Sequence, residues 1–312
     1  EAFQSSLGNV NLSSNNMTEF PHQLCRFTAL ATIDVSQNNI DSLHDYRGQC
    51  NALEDFEQLR IIIARGNRIV ELELGRHSSC VVPGRFLKVV AESNPLRELR
   101  FSEMSNAMIT RECAKSIITP PYTFTKLTFH ASKFINTSKF LPWPASLKGL
   151  KMLVASGSSL AGELHPFVAL TALEHFNAYG SYLEGTLQPI RSLVKLTFLS
   201  LGANMLSGPL DGVENLTNLK ELRLYRNKLS GSLGVLNALQ KHLYYVSLQQ
   251  NQLSGSLGGV SKLVNLRFLQ IGKNRLTGSL QPLHGLHRLT DVRLEQNNLK
   301  GPISYLANLD NM

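Results

Sequence analysis

The feature that most restricts this chain is a pattern, LxxLxLxxNxL, whose first apolar position falls at residues 150, 173, 196, 219, 243, 266, 289 and 312. Every spacing is 23 residues except that from 219 to 243, which is 24. Three copies read Leu196-Leu199-Leu201-Asn204-Leu206, Leu219-Leu222-Leu224-Asn227-Leu229 and Leu266-Leu269-Ile271-Asn274-Leu276. A unit this short cannot bury an apolar face on its own, so repeats at a fixed period must stack and share one continuous core. The alternation in LxL makes a short strand with leucines inward and the intervening residues outward. The Asn falls where the chain leaves that strand. Its amide both donates and accepts, so it can satisfy backbone groups of adjacent coils that would otherwise be buried and unpaired.

The N-terminal half carries the same pattern less evenly. Leu7-Val10-Leu12-Asn15-Met17 is followed by Leu30-Ile33-Val35-Asn38-Ile40, then by Leu59-Ile62-Ala64-Asn67-Ile69, Leu96-Leu99-Phe101 and Phe124-Leu127-Phe129. The Asn ladder therefore comprises Asn15, Asn38, Asn67, Asn204, Asn227, Asn251, Asn274 and Asn297. Met104, Ser132, Ser158 and Ser181 stand at Asn positions, where the ladder is expected to be weaker or water-bridged. Register is least defined between Ile69 and Leu96. There, Phe86, Val89 and Val90 beside Lys88 and Glu92 suggest a helical turn before Asn94-Pro95, and 110–118 suggests a second helix before Pro120-Pro121.

After the strand, later repeats run Leu206-Ser-Gly-Pro-Leu210, Leu229-Ser-Gly-Ser-Leu233, Leu253-Ser-Gly-Ser-Leu257 and Leu276-Thr-Gly-Ser-Leu280. This LxGxL signature resembles the plant-type leucine-rich-repeat class of plant receptor ectodomains and kinetoplastid surface antigens. The match is good over 150–312 and reasonable over 1–40. Members usually continue with Ile-Pro and carry paired-cysteine caps; here Ser-Leu predominates, with Pro only at Pro209 and Pro302. The resemblance implies an α/β solenoid, a right-handed horseshoe or arc of roughly twelve coils with a parallel β-sheet on its concave face. One domain is expected over 1–312, regular in 1–40 and 124–312 and irregular, with longer repeats, in 41–123. Those longer repeats resemble the ribonuclease-inhibitor type, with helices on the outer face. The chain reads as a fragment of a longer one, with further protein or a partner covering its C-terminal end.

Outward strand positions line up as columns on the concave face. They place His175, Tyr179, Phe198, Arg223, Tyr225, Arg226, Tyr245, Phe268, Lys273 and Arg293 on one surface. Exposed aromatics with Arg among them are the usual composition of an interaction hot spot. The expected function is non-catalytic recognition of a protein, a peptide or a glycan, as an extracellular receptor or surface-antigen ectodomain. The alternative is an intracellular scaffold or assembly subunit.

Other chemistries find little support. Ser192 and Lys195 have S-x-x-K spacing but lie on a connecting segment. His284 and His287 lack a third metal ligand. The glycine-rich stretches are repeat turns, not phosphate cradles. Neither an enzyme nor a cofactor is expected. Net charge is uneven: −6 over 1–59, +9 over 60–151 and +5 over 152–312. The basic segment, with Arg60, Arg65, Arg68, Arg97, Arg100, Lys126 and Lys133 on outward positions, suits an acidic protein or anionic glycan better than nucleic acid. No run of apolar residues is long enough to span a membrane.

All four cysteines, Cys25, Cys50, Cys80 and Cys113, precede residue 114. They are either buried thiols or, in a secreted chain, include a Cys50–Cys80 bridge between loops. Glycosylation sequons at Asn11, Asn16, Asn136 and Asn215 are compatible with secretion.

Overall fold

The computed structural model describes residues 7–27, 29–43, 61–69, 71–74, 88–90, 98–102, 125–130, 135–136, 147, 149–157 and 160–306. The chain divides into two compact units, Glu1–Ile135 with Lys139–Leu150, and Asn136–Ser138 with Lys151–Met312.

In the second unit the 23-residue period becomes a stack of coils. Met152–Val154, His175–Asn177, Phe198–Ser200, Glu221–Arg223, Tyr245–Ser247, Phe268–Gln270 and Asp291–Arg293 form one parallel ladder in strict register. The central residue of each of the first six strands points into the core: Leu153, Phe176, Leu199, Leu222, Val246 and Leu269 are all fully buried, whereas Val292 of the seventh is half-buried. The chain returns through short 3-10 turns such as Gln188–Ser192 and Leu257–Val260. A second set of short parallel strands, among them Tyr182–Gly185, Met205–Gly208 and Lys228–Leu229, follows each LxL strand. The repeat of 24 residues absorbs its extra residue in the longest 3-10 segment, Gly234–Leu239.

Leucines fill the coil interiors. Leu196, Leu199, Leu201, Leu206, Leu210, Val213 and Leu216 of one coil are 0% exposed, as are Leu219, Leu222, Leu224, Leu229 and Leu233 of the next. Close approach of coils requires glycine at one point above all. A Cβ on Gly259 would lie 2.0 Å from the Leu233 carbonyl oxygen.

The asparagines join the coils. Asn204 Nδ2 donates to the Ala178, Leu201 and Gly202 carbonyls at 2.9, 2.9 and 3.1 Å, while its Oδ1 accepts from Leu183 N at 2.9 Å. Asn227, Asn251, Asn274 and Asn297 repeat the arrangement one coil further on each time. The residue before each is left-handed: Ala203, Arg226, Gln250, Lys273 and Gln296 have φ between 53° and 59°. That conformation costs a non-glycine residue about 1–2 kcal/mol, and the bonds of the following Asn hold it in place. At Ser181, where Asn is replaced, the preceding left-handed residue is Gly180. The Ser181 hydroxyl donates to the Ala155 carbonyl at 3.2 Å. Met104, Ser132 and Ser158 lie outside the described residues.

The first unit shows the same construction over its described residues. Asn9–Asn11, Thr32–Asp34, Ile61–Ile63 and Lys88–Val90 form a parallel ladder over buried Ile33 and Ile62. Asn38 donates to the Leu12, Val35 and Ser36 carbonyls, and Asn67 to those of Val35, Ala64 and Arg65. Asn15, in the first coil, is exposed and among the described residues bonds only within its own turn, to the Leu12 and Ser13 carbonyls. Glu71–Leu74, Glu98–Ser102 and Lys126–His130 form a separate parallel ladder. The helical turn expected around 86–92 is corrected here. Lys88–Val90 is a strand paired to Ile61–Ile63, and two adjacent β-branched valines suit that role better than a helix. The second expected helix, over 110–118, lies outside the described residues.

Cys25, on the 3-10 segment His22–Arg26, is disulfide-bonded, so the buried-thiol reading does not hold for it. Cys50, Cys80 and Cys113, and with them the expected Cys50–Cys80 bridge, lie outside the described residues.

Candidate functional site

On the long ladder of the second unit, the outward residues of successive strands stand side by side because registration is residue for residue. His175 pairs with Phe198, Phe198 with Glu221, Glu221 with Tyr245, and Tyr245 with Phe268. The side chains associate along that line. His175 and Phe198 stack at 4.2 Å with ring planes 4° apart, and Tyr245 meets Phe268 at 5.4 Å. Glu221 would interrupt the strip, but Arg223 bridges it. The guanidinium lies 5.5 Å from the Phe198 ring centre and 4.4 Å from that of Tyr245. Cation–π contacts of this kind contribute roughly 0.5–2 kcal/mol each.

Arg223 is held there by its own strand. Its Nε and Nη2 donate to Glu221 Oε2 at 3.1 and 2.6 Å, and the Tyr244 hydroxyl donates to Glu221 Oε1. The Glu221 side chain is only 18% exposed, so the pair is partly desolvated and better ordered than an ordinary surface ion pair. The bond to Glu221, then burial, hold the Tyr244 phenol above its usual range. Burial lowers the His175 pKa, against an opposing pull from Glu221.

A second aromatic pair lies beside the strip. Tyr179 and Tyr225 meet at 5.7 Å although a whole coil separates them. Gly202 makes this possible: a Cβ there would sit 2.8 Å from the Tyr225 ring. Burial, then the adjacent Tyr179, raise the Tyr225 pKa.

The structure thus brings His175, Phe198, Arg223, Tyr245 and Phe268 into one strip, with Tyr179 and Tyr225 next to it. Arg293 is tied to Asp291 at 3.2 Å, and Gln270 links Tyr245 to the same aspartate. Arg226 and Lys273 stand apart, exposed at the turns where the chain leaves the sheet. Glu221 and Gln270 are outward positions of the same repeat columns, without being singled out as ligand-binding, and Tyr244 is not indicated by the sequence at all, because its position lies just before the strand.

The remaining nominated positions are simply placed. Asn11 and Asn16 are exposed; Asn11 Oδ1 accepts from Ser13, and Asn16 Oδ1 from Asn39 at 2.8 Å. Asn215 is half-buried at the end of a 3-10 turn, and Asn136 lies in the strand Ile135–Asn136. Arg65 and Arg68 are exposed and Lys126 half-buried, whereas Arg60, Arg97 and Lys133 fall outside the described residues. Ser192 Oγ donates to the Val168 carbonyl at 2.9 Å, a structural bond between coils. His284 and His287 are exposed, and His284 meets Tyr305 edge-on. Among the described residues no group of three potential metal ligands converges, and no helix is long and apolar enough to cross a membrane.

No family model matches the sequence, and no curated protein matches it. Solved structures do resemble it. An internalin (inlF) from Listeria monocytogenes superposes with a TM-score of 0.55 at 20% identity, over 99% of this chain and 86% of that one. The Arabidopsis receptor kinase HAESA, in complex with the peptide hormone IDA and the co-receptor SERK1, gives 0.56 at 20% identity over 98% of this chain and 47% of that one. The plant peptide hormone receptor RGFR1, in complex with RGF2, gives 0.54 at 19% identity over 97% and 52%. This chain spans about half the length of those two plant receptor chains. Likeness at this level of identity speaks to architecture, and it agrees with the repeat pattern and the parallel ladders: the fold of this chain is that of the leucine-rich-repeat proteins.

Proposed function

We propose that the second unit is a recognition module whose sheet face, the concave face of such solenoids, binds a protein or peptide ligand, and that the chain is not an enzyme. The observation that carries this reading is the strip Phe198–Arg223–Tyr245–Phe268, a row of rings with a guanidinium held between two of them. Rigid aromatics with an ordered Arg lose little entropy when a partner covers them, which is what an interface centre needs. Two similarly folded plant receptors are recorded in complex with peptide hormones, which supports the same class of ligand. The disulfide at Cys25 favours an oxidising compartment, hence an extracellular or cell-surface place, over an intracellular scaffold. Exposed sequons at Asn11 and Asn16 are compatible with a glycoprotein. Further protein covering the last coil would suit Val292, Leu294 and Leu299, apolar core positions that are partly exposed there.

The test is capture of secreted or surface proteins by the full chain, compared with a Phe198→Ala/Tyr245→Ala/Phe268→Ala variant that has an unchanged far-UV spectrum. A bound protein or peptide lost with the variant supports the reading. Equal capture by both proteins refutes the strip as the binding surface.

A further inference from the structure

Each ladder asparagine is flanked by two residues that face solvent. In four successive coils of the second unit these flanks are Arg226 and Lys228, Gln250 and Gln252, Lys273 and Arg275, and Gln296 and Asn298. All are exposed except Gln250, which is half-exposed. The rows therefore alternate: two cations, two amides, two cations, two amides. The two preceding turns have no such side chains, carrying Gly180 with Tyr182, then Ala203 with Met205. Among the described residues none of the four cations is in an ion pair, and Arg226 bonds instead to the neighbouring amide, Nε to Gln250 Oε1 at 2.7 Å. The sixteen residues 225–228, 249–252, 272–275 and 295–298 include one carboxylate, Glu295. Two of the cations, Arg226 and Lys273, occupy left-handed positions at φ 54° and 57°, where glycine would be less strained.

Parallel strands step about 4.8 Å, so the two cationic rows, two coils apart, lie about 9.6 Å from each other along this edge. A ligand matching it is linear and bears one acidic group per repeat of that length. Between its acids it offers groups that both donate and accept, as planar amides do. Single-stranded nucleic acid fits poorly: it carries a phosphate on every unit and asks for stacking platforms, and the one ring beside these rows, Tyr225, is already packed against Tyr179. A membrane surface would ask for inserting apolar residues, and the flanks of the four rows hold none.

We infer that this turn-side edge binds an anionic linear polysaccharide with one acidic group per disaccharide, its carboxylates on Arg226/Lys228 and Lys273/Arg275 and its hydroxyls on the intervening amides. The site is distinct from the aromatic strip and does not depend on it.

The test uses the full chain and a hyaluronan decasaccharide in a fluorescence-polarisation titration. Wild type is expected to bind, more weakly as salt rises, and at least tenfold more tightly than it binds a neutral chitin hexamer. The Arg226→Gln/Lys228→Gln/Lys273→Gln/Arg275→Gln variant, with an unchanged melting temperature, is expected to lose at least tenfold. Gln250→Ala/Gln252→Ala should lose severalfold, and Phe198→Ala nothing. The inference is overturned if wild type does not bind, if the four-cation or the amide variant binds as wild type does, or if the neutral hexamer or a poly-glutamate of equal charge binds as tightly as hyaluronan.

Discussion

Replacing Asn274 with Ala removes four hydrogen bonds at once, and the structure shows that they do not weigh equally. Its Nδ2 donates to the Leu248, Ile271 and Gly272 carbonyls at 3.0, 3.0 and 3.2 Å, and its Oδ1 accepts from Leu253 N at 3.0 Å. The carbonyls are shared. Leu248 O also accepts from Asn251, Ile271 O from Asn297, and Gly272 O from Gln250 N. After the substitution each therefore keeps a partner, and Leu253 N–H alone is stranded in a buried site. An orphaned buried donor costs about 1–3 kcal/mol and each shared bond a fraction of one, giving about 2–4 kcal/mol in total. For a cooperative unit of this size that corresponds to a melting temperature lower by about 5–15 °C. Equilibrium urea unfolding followed by far-UV circular dichroism measures it, with Asn15→Ala as the internal control. Because Asn15 is exposed and among the described residues bonds only within its own turn, its loss should cost less than about 1 kcal/mol. Equal effects at the two positions, or a loss below 1 kcal/mol at Asn274, would refute the claim that inter-coil amides hold the stack together.

Gly259→Ala should destabilise by more than about 3 kcal/mol, since the new methyl collides with backbone that cannot move aside. Gly285→Ala, with nothing within 4 Å, should stay within about 0.5 kcal/mol; urea midpoints for both decide the matter. Ser181→Asn should stabilise by about 1 kcal/mol, because Gly180 already supplies the turn that the Asn needs. For His175, burial lowers the folded pKa below the ordinary 6.5, so the unfolded chain takes up a proton first as pH falls. Its contribution is intact above 6.5 and lost as pH drops through and below that value. A stability–pH difference between wild type and His175→Phe that is flat from pH 7 to 5 would show the stack to be irrelevant to titration.

The second unit was legible in the sequence because each residue type does a single job there. Leucines at fixed spacing have no other place to go, and each LxL of the second unit became a strand one coil from its neighbour. The irregular zone was not legible for a reason specific to Lys88–Val90. Apolar residues at 86, 89 and 90 fit a helical period, and only the Ile61–Ile63 edge, 27 residues away, selects the strand. The columns told which residues face outward, but not how they meet. That Arg223 lies between Phe198 and Tyr245 depends on Glu221 and Tyr244, and a list of outward positions holds no information on rotamers. The alternation of charge and amide beside the ladder was present in the sequence, yet it emerges only when the turns are aligned on the buried asparagine.

The change from asparagine to serine at 181 has a mechanical consequence. A hydroxyl carries one donor where an amide carries two, so the seam beside Ser181 is fastened less firmly than those at Asn204, Asn227 or Asn251. Tension applied along the stack would open that seam before it reached the rings between Phe198 and Phe268. The strip thus has on its N-terminal side a seam fastened by a hydroxyl where its own coils are fastened by amides.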